Sequence, residues 1–165
     1  MGCEAVVLRS RYAQSCRRVA LPESVRIPIG RRIHGVFLLH AGGWLHFHQP
    51  VAEYRFGIAG REEAKVEVVA YGASDSSADG ETDRVERSII QDWHPSFPSF
   101  TSANAMPYFV TENGDPFLYL RHLYLYYWSN PYPELPVEHF TMRTYHPHGE
   151  ATLGLLAMTL ADKRS

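Results

Sequence analysis

A two-residue alternation of apolar and polar side chains runs through most of this chain and constrains its fold more than any other feature. In VAEYRFGI, residues 51–58, Tyr54, Phe56 and Ile58 alternate with polar or small residues. AKVEVVAY, residues 64–71, repeats the pattern. Successive side chains of a strand point to opposite faces of a sheet. Each segment therefore predicts a β-strand with one buried face.

The distribution of these segments predicts the fold class. About eight short strands are separated by turn-rich loops, without the strand-then-helix alternation of a parallel sheet. This pattern predicts an all-β fold, an antiparallel β-sandwich of the jelly-roll type. We expect a poorly structured N-terminal leader over residues 1–20 and a single β-sandwich domain over residues 21–162. Trp128 ends an apolar strand, and we expect it in the core.

The charge of the chain argues against nucleic-acid binding. The formal net charge is −2, and the 16 lysines and arginines are scattered, apart from three adjacent pairs, Arg17–Arg18, Arg31–Arg32 and Lys163–Arg164. A nucleic-acid-binding surface needs a basic stripe, which this distribution does not supply. The opening apolar run, AVVL, is too short for a secretory core or a membrane anchor. We therefore expect neither nucleic acid nor membrane as a partner, and the sequence leaves the localisation open.

One candidate site is a metal site early in the chain. His46 and His48 are followed by Glu53 in the H-x-H-x4-E spacing of cupin barrels. On a strand the two imidazoles would leave the same face and could share one metal ion with the carboxylate. Pro50 favours a loop instead, where that argument does not apply. A cupin-like metal-dependent enzyme and hydrogen-bonding loop histidines are the two alternatives.

A second candidate site rests on tryptophans beside loops. Trp44 and Trp93 lie near predicted strand ends, where an aromatic face can stack on the C–H patches of a sugar ring. Sugar hydroxyls also need polar partners, which Asp92, Arg55 and His46 could supply. The alternative is that these aromatic rings belong to the core. The sequence thus predicts a ligand-binding site made of these five residues.

Catalytic chemistry has weaker support in the sequence. No G-x-S-x-G nucleophile elbow and no phosphate-cradling glycine loop occurs. We therefore predict a non-catalytic protein that needs no cofactor. The segment TENGDP, residues 111–116, and the acidic segment at residues 72–84 could hold a structural calcium ion through carboxylates and carbonyls. A plain turn also explains Asn-Gly-Asp-Pro.

Three pieces of the chain, taken in order, form a wider pattern: IPIGRRIHGVFLLHAGGW (27–44), QDWHP (91–95), and LYLYYWSNPYPELPVEHFTM (123–142) followed by LGLLAMTLA. They resemble a family of β-sandwich domains of the galactose-binding, carbohydrate-binding-module-like type. Such domains are commonly attached to polysaccharide-degrading enzymes. The resemblance implies an accessory module that binds a polysaccharide or oligosaccharide, with a parent glycoside-degrading enzyme as partner. A purely structural sandwich domain is the remaining alternative.

Overall fold

The architecture is taken from a computed structural model of the chain. It describes residues 5–15, 20–46, 49–70, 86–90, 105–110 and 121–162, with the backbone alone at 105–110 and 121–122. Three predicted site residues, Trp93, Asp92 and His48, lie outside the described residues. The two segments predicted to hold calcium also lie outside them.

β-strands dominate the described residues and form two five-stranded sheets. The strands are β1 (Val6–Val7), β2 (Ser24–Arg32), β3 (Gly35–Gly43), β4 (Pro50–Ile58), β5 (Ala64–Ala70), β6 (Glu86–Ile90), β7 (Ala105–Val110), β8 (Arg121–Ser129), β9 (Pro136–Thr144) and β10 (Thr152–Ala161), with one short helix, α1 (Arg11–Ser15). The first sheet has the order β1-β10-β3-β8-β7, and the second has the order β2-β9-β4-β5-β6. Within the described ranges no helix is long and apolar enough to cross a bilayer.

The predicted all-β sandwich is confirmed. Strand pairing is antiparallel throughout the described sheets except between β5 and β6, which are parallel. The predicted antiparallel pairing holds for the other strand pairs, and β5 with β6 departs from it. A parallel pair needs a long crossover connection, and 15 residues separate the two strands. The jelly-roll path of the chain stays a prediction.

The space between the sheets is filled by a single cluster of buried side chains from both sheets, and much of it is aromatic. Phe56 of β4 lies flat on Trp128 of β8, with ring centroids 3.8 Å apart and planes 2° apart. Phe140 packs against Phe56 at 5.3 Å. Trp128 is 1% exposed, so its predicted place in the core is confirmed. Burying one large side chain of this kind stabilises a fold by about 1.5–3 kcal/mol.

The N-terminal segment belongs to the sandwich, which corrects the expected leader over residues 1–20. β1 pairs with the edge of β10, and Leu8 is fully buried in the core. The backbone N–H of Arg11 then donates to the carbonyl of Gly149 at 2.8 Å and fixes the start of α1. The prediction is wrong for residues 5–15 because a run too short for an independent element can still complete an existing sheet.

Substitution of Phe56 tests the contact between the sheets. We expect Phe56→Ala to lower the free energy of unfolding by about 3–5 kcal/mol, because the core cannot close over the space of a lost ring. Urea unfolding measures the loss. Phe37, which is 38% exposed on the outer face of the first sheet, provides the matched control. Phe37→Ala should cost about 1 kcal/mol or less, and equal losses in the two variants would contradict the proposed role of Phe56.

Candidate binding site

Trp44 directly follows β3, and half of its surface is exposed (50%). Its backbone φ is 54°, and no other non-glycine residue in the described ranges has a positive φ. The left-handed region is unfavourable for a bulky side chain by roughly 1–2 kcal/mol. Strain of this kind is retained at positions where the side chain is needed in one place. Trp44 is therefore the starting point of the candidate site.

Tyr12 of α1 supports the indole of Trp44. The two ring centroids are 5.1 Å apart, and the ring planes differ by 27°. The guanidinium of Arg11 lies 5.0 Å from the centre of the Tyr12 ring, which is a cation–π contact. We call Tyr12 and Trp44 together the aromatic platform. The strand end and the helix thus hold an exposed indole against a second ring.

Glu150 links the platform to the polar side chains around it. Its Oε1 accepts hydrogen bonds from the Tyr12 hydroxyl, at 3.3 Å, and from Arg11. Its Oε2 accepts one from Nε2 of His46 at 2.9 Å. The hydrogen bond from His46, with the positive charge of Arg11 and the bond from Tyr12, holds the pKa of Glu150 below its ordinary value, against a smaller effect of desolvation. The carboxylate stays ionised and fixes these groups in one arrangement.

Two open grooves lie next to these polar groups: Glu150 lines the first, and Arg11 lines the second. Their volumes are about 400 and 340 Å³, within the range of small-ligand sites. Pro147 and His148, between β9 and β10, line both grooves. The first groove is also lined by His46, Gln49, Tyr145, His146, Gly149 and Ala151, and the second by Arg9, Ser10 and Gln14. The two grooves therefore share the segment between β9 and β10, and the partners of the platform line both of them.

The structure brings two of the predicted ligand-binding residues together. Trp44 and His46 meet through Tyr12 and Glu150. The sequence did not predict Arg11, Tyr12 or Glu150 as site residues. Tyr12 and Glu150 are 138 residues apart in the chain. No local pattern reports a contact over that separation.

Arg55 lies elsewhere. The groove residue Gln49 directly precedes β4, and Arg55 lies six positions after it, which is roughly 20 Å at the rise of a strand. Its side chain donates to Glu53 at 2.8 Å and to Glu63 at 3.4 Å on the outer face of the second sheet. Its predicted role in ligand binding stays a prediction, and the site built from Trp44 does not include it.

Two members of the predicted metal set have separate partners. Glu53 is 2% exposed and accepts hydrogen bonds from Arg55 at 2.8 Å and from the Tyr145 hydroxyl at 3.0 Å. Desolvation alone would raise the pKa of Glu53, but these bonds and the nearby positive charges outweigh it and lower the pKa. His46 instead donates to the carboxylate described above. Within the described ranges no three metal-ligating side chains converge, and His48 lies outside those ranges.

A second polar cluster is buried between the sheets. A hydrogen bond of 2.5 Å joins Nδ1 of His40, on β3, to the Tyr54 hydroxyl, on β4. The hydroxyl of Ser88, on β6, lies 3.4 Å from Nε2 of His40. All three side chains are fully buried, so a substrate has no access to this serine and histidine pair. Burial lowers the pKa of His40 to about 3, and the neutral ring serves as a link between the two sheets.

No protein-family model, curated protein or solved structure matches this chain.

Acid should weaken the fold through His40. In the unfolded chain a histidine takes up a proton near pH 6.5, whereas in the fold His40 does so at about 3. Between these values the unfolded state binds more protons, so stability falls as the pH is lowered, by up to about 1.4 kcal/mol per pH unit.

His40→Asn should remove this contribution, since the amide can still meet the Tyr54 hydroxyl but does not titrate. Urea unfolding at several pH values between about 4 and 7 measures the slope. Phe37→Ala, which removes an exposed side chain that does not titrate, should keep the wild-type slope. An unchanged slope in His40→Asn would show that His40 does not carry the acid sensitivity.

Proposed function

We propose that this protein is a non-catalytic carbohydrate-binding module that binds a polysaccharide or oligosaccharide on the aromatic platform. The observation that carries the proposal is the half-exposed indole of Trp44, held on Tyr12 in a left-handed backbone conformation. An exposed ring held at a conformational cost is better explained by binding than by packing. The galactose-binding-like family and a parent polysaccharide-degrading enzyme are part of this proposal through the sequence resemblance.

The surroundings of the platform suit a sugar. A pyranose ring offers a C–H face, which stacks on an aromatic ring, and an edge of hydroxyl groups, which need donors and acceptors. Arg11 and His46, both about 60% exposed, lie beside the platform around the carboxylate of Glu150. These planar groups can bond to hydroxyls at the rim of a stacked sugar. Glu150 holds them in place before binding, which lowers the ordering cost of association.

The expected affinity is modest. The grooves are open, so a ligand leaves much of its surface in water and gains little from burial. Dissociation constants of roughly micromolar to millimolar size are therefore expected. Modules of this strength act by keeping a partner enzyme near its polymer, where several weak contacts add through effective concentration.

The decisive experiment compares two exposed aromatic residues. Trp44→Gly removes the indole and leaves a residue that adopts a positive φ without strain. In affinity electrophoresis and on a glycan array, its binding should be about tenfold weaker, because a lost stacking contact costs roughly 1.5 kcal/mol. Its thermal unfolding should match the wild type.

Phe37→Ala is the matched control, since Phe37 is exposed on the outer face of the first sheet and away from the grooves. This variant should bind as the wild type does. Wild-type protein that is retained by no polysaccharide would overturn the proposal and leave a purely structural sandwich domain.

A further inference from the structure

Most of the polar side chains that line the two grooves carry hydrogen-bond donors. Two of them, Arg9 and Arg11, are guanidinium groups, and His46, His146 and His148 add imidazoles. Both guanidinium groups lie here although the whole chain carries a formal net charge of −2.

Glu150 engages only part of the donors of this lining. Both of its oxygens already accept hydrogen bonds, Oε1 from Arg11 and Tyr12 and Oε2 from His46. The contacts of Arg11 with Glu150 and Tyr12 both use Nη2. A guanidinium has five N–H donors, and the side chain is 61% exposed. Arg11 can therefore donate from Nε and Nη1 to a bound molecule.

Arg9 supplies another exposed guanidinium group in the second groove. Its Nη1 pairs with Glu23 at 3.4 Å, and both side chains are well exposed, at 37% and 52%. An exposed pair at this distance contributes little stability and is screened by salt. Arg9 can therefore turn from Glu23 to a ligand anion at small cost.

Resting on the proposed carbohydrate binding, we propose that the ligand is an acidic saccharide, with carboxylate or sulfate groups that lie along the two grooves. Guanidinium groups bind both kinds of anion through paired, charge-assisted hydrogen bonds. Trp44 and Tyr12 then take the C–H face of one ring, and Arg11 and Arg9 take acidic groups farther along the chain. A neutral polymer would leave these donors with hydroxyl groups only.

Paired polysaccharides test the charge requirement with the backbone held constant. Affinity electrophoresis compares polygalacturonate with its methyl ester and dextran sulfate with dextran, which also separates the carboxylate from the sulfate. The wild type should be retained by at least one charged polymer and about tenfold less by its neutral counterpart, and retention should fall as salt is added. Trp44→Gly should weaken this retention about tenfold as well, since a platform ligand depends on the indole.

Arginine variants test the placement of the anion. Arg9→Gln and Arg11→Gln should each weaken binding to the charged polymer about tenfold or more. Arg9→Gln is the cleaner of the two, because Arg9 pairs with Glu23 and not with Glu150. Arg31→Gln is the matched control. Arg31 is 52% exposed and pairs with Asp162 at 3.4 Å. It lies near the end of β2, whereas Glu23, the partner of Arg9, directly precedes the start of that strand. Arg31→Gln should bind as the wild type does.

Each adverse result has a definite meaning. Equal retention by the charged and neutral members of a pair, lost in Trp44→Gly, would overturn the acidic ligand and support the carbohydrate module. Retention by charged polymers that survives Trp44→Gly, or that falls equally in Arg31→Gln, would indicate general charge attraction and overturn the inference. Retention by neither charged nor neutral polymers would overturn both proposals.

Discussion

The flat contact between Phe56 and Trp128 joins the two sheets, and the placement of everything else depends on it. Phe56 lies on the central strand of one sheet and Trp128 on the second strand from the edge of the other, so the stack fixes how far apart the sheets lie. The hydrogen bond between His40 and Tyr54 repeats the connection farther along β3. Trp44 follows His40 by four residues, roughly 13 Å along the chain. An anchored β3 therefore delivers the indole to one place at the edge of the sandwich.

The platform also depends on the docking of the N-terminal segment. Leu8 enters the core beside β10, and four residues later Tyr12 meets Trp44. The hydroxyls of Ser10 and Thr152 lie 2.5 Å apart and tie the same segment to the start of β10. The site thus combines the helix α1, the end of β3 and the approach to β10. It forms only when distant parts of the chain are folded together.

Local pattern explains which parts of this structure could be predicted. Alternation of apolar and polar residues depends on one strand and one face, so the strands, the all-β class and the burial of Trp128 could be predicted from the sequence. Pairing between segments is not local, and neither the parallel β5 and β6 nor the addition of β1 leaves a signal in composition. The contacts of Glu150 with Tyr12 and Arg11 could not be predicted for the same reason. The exposure of Trp44 could be predicted from its place beside a loop.

Two carboxylates in this fold make similar bonds, and their burial separates their roles. Glu53 accepts from an arginine and a tyrosine at 2% exposure, where breaking one bond leaves a desolvated charge and costs much of the stability of the fold. Glu150 accepts from an arginine, a tyrosine and a histidine, but its side chain is 33% exposed. Bonds at that exposure contribute little to the stability of the fold. The Glu53 network therefore suits the stabilisation of a sheet, whereas Glu150 orients Arg11 and His46, whose exposed sides stay open to an incoming molecule.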